Sequence, residues 1–357
     1  VDTLIKYLND PDPDVRCDAA LALGEIGEEI AAPYLIKALD DEDCMVKISA
    51  VDALSKTGSA LAVEPLIHAA ASTSPIPSML GDISWDYRWD IQEKSISALG
   101  MIKDSRAVEV LIGFLNNEDM EGMQGAIFKS LIQQGDKKGI EVAAGYLKDK
   151  DVSVRRKAAS SFTHADSFEV LGYLADALID EDSLVKVNAV KTIGKLGTEK
   201  DIVPLVLLLK DEDEEVRIES IKAVAKIMGS RGVKHILPLL NDKNSAVKKT
   251  AVELLGKTAG HDCIEPLIEI LNSADDDLCS EVITVLAGFE DESIKDAIIG
   301  IIMDKNRSSF VRNKALRVLK LSDNRKRLDS VLEIISDADA DKHLKEAACE
   351  CLKWADE

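Results

Sequence analysis

The chain repeats one five-residue block four times: Asp151-Val152-Ser153-Val154-Arg155, Asp182-Ser183-Leu184-Val185-Lys186, Asp213-Glu214-Glu215-Val216-Arg217 and Asn244-Ser245-Ala246-Val247-Lys248. The fourth residue of every block is valine, and these valines stand 31 residues apart. A fixed period of about 20–50 residues indicates an architecture in which similar units stack on one another. The sequence therefore predicts a repeat protein.

One unit, residues 179–209, shows what each repeat contains. Asp182 stands where a side-chain oxygen can cap the first turn of a helix. Apolar residues follow at the spacing of one helix face: Val185, Ala189, Ile193 and Leu196. Gly197 then fits the left-handed end of that helix, and a second helix is predicted to begin near Pro204. A single helix pair cannot bury its apolar face, so neighbouring pairs must stack.

The clearest copy is Asp12-Pro13-Asp14-Val15-Arg16-Cys17-Asp18-Ala19-Ala20-Leu21-Ala22-Leu23-Gly24-Glu25-Ile26-Gly27. It resembles the HEAT repeat family, in the short bacterial and archaeal form that phycobilin lyases share. The resemblance implies an all-α fold, a right-handed α-solenoid of about eleven helix pairs. We expect residues 1–357 to form a single solenoid domain. Because such folds carry unrelated activities, the resemblance does not by itself name a function.

The regular spacing is broken once, by an inserted loop at residues 72–90. Ile91 follows Val46 by 45 residues, 14 more than the period, and the loop is predicted between the two helices of the third repeat. The insert holds the run Trp85-Asp86-Tyr87-Arg88-Trp89. Trp, Tyr and Arg are enriched at binding hot spots, so this run is one candidate partner-binding site. The alternative is that the rings only plug the loop onto neighbouring helices.

A row of basic or amide side chains follows the valine position: Arg16, Lys47, Gln92, Gln124, Arg155, Lys186, Arg217, Lys248, Arg312 and Lys345. Cys279 interrupts the row. The aspartate three residues before the valine position, such as Asp182 or Asp213, is the expected counter-charge. One interpretation is a structural ladder that clips repeat to repeat. The other is a concave groove that reads an acidic or polar segment of a partner, through Arg155, Lys186, Arg217 and Lys248.

The net charge of −21 argues against a general nucleic-acid binder, and equally against a relative of the HEAT-like DNA glycosylases. Residues 1–90 hold 17 acidic and 6 basic side chains, whereas residues 304–327 hold 9 basic and 2 acidic ones. The acidic end is either a solvated convex face or a surface that steers a protein with a basic surface. The basic run is interpreted as an ordinary solvated turn.

The sequence shows no catalytic, metal or cofactor signature. The histidines, at positions 68, 164, 235, 261 and 343, form neither a metal-binding spacing nor the His-Glu pairs with which HEAT-repeat deoxyhypusine hydroxylases bind iron. The six cysteines show no disulfide or zinc spacing, which favours a reducing cytoplasm. There is no apolar run of membrane-spanning length. Since Val1 falls inside a predicted helix, we expect that a segment precedes it.

Together these patterns favour a non-enzymatic protein: an adaptor, or an assembly or maturation factor, holding a partner protein in its concave groove. The alternative follows from the resemblance to phycobilin lyases, which would imply attaching or detaching a bilin on a phycobiliprotein. In that case the aromatic rings of the insert could stack on the tetrapyrrole.

Overall fold

The computed structural model describes residues 1–72, 87–273 and 275–318, together with single positions between 332 and 349. Chain contacts divide the protein into two compact units, Val1–Leu196 and Gly197–Glu357. All regular structure in the described ranges is helical. None of the described helices is both long and apolar enough to cross a bilayer. The prediction that residues 1–357 form a single solenoid stays a prediction.

The first unit contains eleven α-helices in its described residues: α1 (Asp2–Tyr7), α2 (Pro13–Ile26), α3 (Ala32–Ala38), α4 (Cys44–Thr57), α5 (Val63–Ala71), α6 (Arg88–Ile102), α7 (Arg106–Phe114), α8 (Gln124–Gln134), α9 (Lys137–Gly145), α10 (Val152–Phe162) and α11 (Ser183–Leu196). Short 3-10 segments precede or extend several of them: Glu29–Ala31, Ala60–Ala62, Glu118–Met123, Tyr146–Lys148, Phe168–Tyr173 and Ala177–Ile179. These elements make six helix pairs.

The described part of the second unit continues with α12 (Ile202–Leu208), α13 (Glu214–Met228), α14 (Val233–Ile236), α15 (Ser245–Thr258), α16 (Ile264–Ser273), α17 (Asp276–Leu286), α18 (Glu292–Met303) and α19 (Ser309–Val318). Its 3-10 segments are Glu199–Asp201, Gly229–Gly232, Leu237–Asn241 and Gly260–Cys263. These elements make four pairs. The predicted eleventh pair, 324–335 with 339–354, lies outside the continuously described residues.

The second helix of each pair is called its inner helix below. Within the first unit the inner helices α2, α4, α6, α8, α10 and α11 pack on one another in chain order, and in the second unit α13, α15, α17 and α19 do the same. The first helix of a pair packs mainly against its own inner helix, as α5 packs on α6 and α12 on α13. The predicted all-α stack of helix pairs is therefore confirmed.

One apolar position of the inner helix shows how this stacking buries the core. Leu23, Leu54, Leu99, Leu131 and Phe162 occupy it in five successive pairs of the first unit, and all five are fully buried. Each side chain is covered only when the neighbouring pair is present, because one pair offers too little apolar surface. The period seen in the sequence is thus the spacing of core residues along the stack.

The predicted helix starts are also confirmed. The Asp213 carboxylate accepts hydrogen bonds from the backbone N–H groups of Glu215 and Val216 at 2.9 and 3.1 Å. Asp43 and Asn244 cap α4 and α15 with the same pair of contacts. Such caps satisfy N–H groups that have no partner inside the helix.

The repeat spacing predicts first helices over residues 166–178 and 230–240, and both are shorter or less regular than that in the structure. Residues 166–178 form two 3-10 segments, Phe168–Tyr173 and Ala177–Ile179, where Gly172 lowers helix propensity in the middle of the run. Residues 230–240 form an α-helix only over Val233–Ile236. Pro238 stands two residues after Ile236 and has no N–H to donate, so the chain continues as a 3-10 segment.

Candidate partner-binding surface

The arginine that follows the valine position forms a buried ion pair that joins two successive turns. This ion pair is called an arginine clip below. Arg217 donates from Nε and Nη2 to the Asp242 carboxylate at 2.8 and 2.9 Å. Its Nη1 donates to the backbone carbonyls of Asp211 and Glu212 at 2.8 and 3.0 Å. Only 4% of the Arg217 side chain and 8% of the Asp242 side chain are exposed. One guanidinium therefore links two turns. One precedes its own inner helix, and the other precedes the next inner helix.

The first unit contains two more copies of this clip. Arg16 donates to Asp41 at 2.9 and 2.7 Å, and Arg155 donates to Asp180 at 2.9 and 3.2 Å. In both copies Nη1 bonds a carbonyl of the arginine's own turn, that of Asp10 or Asp149. The arginine and its carboxylate partner are 25 residues apart in every copy, so the clip always spans two repeats.

The predicted counter-charge of these arginines was wrong. The aspartate three residues before the valine position does not pair with the arginine of its own repeat. Asp213, for example, is occupied in capping α13, while Arg217 reaches forward to Asp242. The partner is instead the aspartate two residues before the next cap: Asp41, Asp180 or Asp242. The ladder itself exists, but its three arginine clips use the carboxylate two residues before the cap.

Asp182 combines both roles, because it caps α11 and also receives Arg156 from the preceding inner helix. The hydrogen bond from Arg156 is the main reason why the pKa of Asp182 lies below its usual value. At Asp41, burial alone would raise the pKa, but the hydrogen bonds from Arg16 and from the Asp43 N–H outweigh it and the pKa is lowered. Both carboxylates are therefore charged at neutral pH.

These contacts distinguish the four candidate residues of the basic row. Arg155 and Arg217 are buried inside clips, with side chains 9% and 4% exposed. Lys186 and Lys248 are half-buried on α11 and α15. The structure gives the two arginines an internal role. That any of the four residues binds a partner stays a prediction.

The repeat that carries the insert has glutamine in place of the arginine. Gln92 is buried, and its Nε2 donates to the Ser72 carbonyl at 2.8 Å, which ties the end of the first helix to α6. In this repeat Trp89, and not an arginine side chain, makes the contact with the next turn. A Cβ placed on Gly122 would lie 2.5 Å from Cζ3 of Trp89, so the indole ring rests directly on the Gly122 backbone.

Trp89 is nevertheless 43% exposed, so part of its side chain remains open to solvent. The Arg88 guanidinium carbon lies 6.0 Å from the ring centroid, at the edge of the range for a cation–π contact. Helix α6 begins at Arg88 with Tyr87, half-buried, just before it. Trp85, the other predicted aromatic anchor, lies outside the described residues.

No group of three His, Cys, Asp or Glu side chains in the described ranges is placed to hold a metal ion. Cys263 and Cys279 are buried, and burial raises the pKa of both thiols. A thiol with a raised pKa stays protonated and unreactive at neutral pH. These two cysteines therefore act as small apolar core residues.

The model of the HEAT repeat family matches residues 1–77, 79–163, 202–284 and 264–353, which is most of the chain. The chain belongs to the HEAT repeat family. The match confirms the predicted family and covers both units. It does not separate phycobilin lyases from other HEAT-repeat proteins, so that closer resemblance stays a prediction.

Two solved structures are similar to this HEAT-repeat protein. An engineered protein is 18% identical with a TM-score of 0.40, the alignment covering 100% of this chain and 98% of that one. Human deoxyhypusine hydroxylase, solved in complex with glycerol, is 18% identical with a TM-score of 0.32, covering 71% of this chain and 94% of that one. Both similarities are too low to support an argument about function. Among curated proteins, none matches the sequence.

Proposed function

We propose that this HEAT-repeat protein is a scaffold, either an adaptor or an assembly factor, that binds another protein along its inner helices. The observation that carries the proposal is Trp89, a large aromatic side chain that is held on Gly122 and yet 43% exposed. Packing on one side fixes the ring, so little conformational entropy is lost when a partner covers the other side.

The position of Trp89 supports this proposal further. It stands at the start of an inner helix, in the repeat where the buried arginine clip is replaced by Gln92. The neighbouring Arg88 places a cation beside the aromatic ring, and arginine and tryptophan are both enriched at binding hot spots.

The described cysteines are free thiols, which supports a reducing compartment such as the cytoplasm as the place of action.

Replacing Trp89 with alanine is expected to weaken the partner complex by about 2 kcal/mol, roughly a thirtyfold rise in Kd, since a hot-spot aromatic is lost. The partner would be recovered from the source cells with the wild-type chain, purified and titrated calorimetrically. Tyr34→Ala is the matched control, because Tyr34 is an aromatic residue of similar exposure, 47%, on the first helix α3. That variant should bind like the wild type.

The opposite outcome would be a Trp89→Ala variant that binds normally but melts at a lower temperature. Trp89 would then only plug the inserted loop onto its neighbours, and the aromatic anchor would have to be abandoned.

A further inference from the structure

Basic side chains collect on three consecutive inner helices of the first unit. Helices α8, α10 and α11 carry no aspartate or glutamate, although the whole chain has a net charge of −21. Their seven basic residues are Lys129, Arg155, Arg156, Lys157, Lys186, Lys191 and Lys195. The inner helix α2 of the same unit is different, since it carries Asp14, Asp18 and Glu25.

Some of these cations are already neutralised by the protein itself. Arg155 is clipped to Asp180, and Arg156 pairs with Asp182. Lys195 donates to the Ala165 carbonyl at 2.8 Å and lies 3.6 Å from Asp166. These contacts hold the repeats together, so they do not account for the remaining lysines.

Three lysines form no ion pair with any described residue: Lys129, Lys157 and Lys191, called the lysine row below. Lys157 contacts only a neutral group, the side-chain oxygen of Gln124, at 3.3 Å. Lys191 is exposed, and Lys129 and Lys157 are half-buried. Although the chain has an excess of carboxylates, no carboxylate in its described ranges pairs with these three ammonium groups.

The lysine row lies across the stack. Lys129, Ser160 and Lys191 occupy the same repeat position on α8, α10 and α11, at intervals of 31 residues. Ser160 is small and exposed, and Lys157 stands three residues before it on the same helix, hence on the same side. Packed helices lie about 8–10 Å apart, so the row extends over roughly 16–20 Å. An extended peptide of about five or six residues spans that length.

We propose that the lysine row binds an extended acidic peptide segment of the partner protein, with the carboxylates of the segment on Lys129, Lys157 and Lys191. This inference rests on the proposed scaffold function and adds the chemistry of the segment that is bound. A short segment suits the surface better than a nucleic acid. A long polyanion would extend beyond the row and be repelled by the excess of carboxylates in a chain of net charge −21.

The test uses a fluorescein-labelled peptide of about eight glutamates, enough to cover the row. We expect it to bind the full chain with an affinity that falls as salt rises, because exposed charges are screened. A peptide with glutamine in place of each glutamate should not bind. The triple variant Lys129→Gln, Lys157→Gln, Lys191→Gln should weaken binding about tenfold or more, since three exposed ion pairs are lost.

The matched control is Lys6→Gln, Lys37→Gln, Lys137→Gln, which removes the same charge from the first helices α1, α3 and α9. It should change binding less than about twofold, because these lysines lie on other helices and salt screens exposed charges. Equal losses in the two triple variants would overturn the proposal, since net charge alone would then explain binding. Tighter binding of an oligothymidylate of the same length would overturn it too.

Titration of the native partner separates this inference from the proposed function. If the partner binds the lysine-row variant as well as the wild type but loses affinity for Trp89→Ala, the acidic-segment proposal fails and the scaffold stands. If the glutamate peptide binds the wild-type chain but no protein partner does, the proposed scaffold function is contradicted. The lysine row would still be supported as an anion-binding site.

Discussion

Replacing Asp242 with alanine is expected to lower the free energy of unfolding by about 3–5 kcal/mol, the usual cost of removing one partner of a buried ion pair. Arg217 would remain with a side chain only 4% exposed and without its counter-charge. Its bonds to the Asp211 and Glu212 carbonyls would persist, but neither carbonyl carries a net charge. Urea unfolding followed by circular dichroism would measure the loss in the second unit.

The control for this variant is Lys257→Ala, which breaks the exposed pair with Glu253 on α15, where both side chains are more than 60% exposed. A solvent-exposed pair at this helical spacing contributes only about 0.3–0.5 kcal/mol. If Asp242→Ala cost no more than Lys257→Ala, the arginine clips would not hold the repeats together, and their regular geometry would need another explanation.

Gly24→Ala is expected to cause the second large loss of stability. The free energy of unfolding should fall by about 3 kcal/mol, the upper part of the range for overpacking a core. A Cβ at position 24 would lie 2.6 Å from the Ala53 Cα and 2.9 Å from its Cβ. The obstacle is backbone and cannot rotate away, so α2 and α4 would have to separate. Thermal unfolding of the two proteins side by side would show the difference.

Gly113 provides the matched control, since it also lies within a helix of the first unit but has no atom within 4 Å of an added Cβ. Gly113→Ala should leave stability unchanged or raise it by about 0.5–1 kcal/mol, because alanine favours the helix. Two variants of equal stability would show that the inner helices do not need the close contact at Gly24. Gly100, whose added Cβ would lie 2.7 Å from the Ser130 Cα, offers a repeat of the test.

Local patterns made the helix pairs predictable. The 31-residue period fixes the spacing of core residues such as Leu23 and Leu54, and the capping aspartates mark where each inner helix begins. Both signals act within a few residues of the element that they define. The family could be predicted for the same reason.

The side-chain contacts between repeats were harder to predict from the sequence than the helices were. Asp180 and Asp182 stand two residues apart, and nothing local says which of them Arg155 reaches. The choice depends on how neighbouring turns stack, which only the structure shows. The lysine row was missed for a related reason, because Lys157 does not share the repeat position of Lys129 and Lys191. It becomes visible once exposure and existing ion pairs are known.

Site-specific photo-crosslinking in the source cells tests most directly whether a partner protein lies along the inner helices. A photoreactive residue would replace Ser160, which is exposed on the inner helix α10, and, in a second variant, Glu141, which is exposed on the first helix α9. We expect one specific partner adduct from position 160 and none from position 141. An adduct from position 141 with none from position 160 would contradict this expectation.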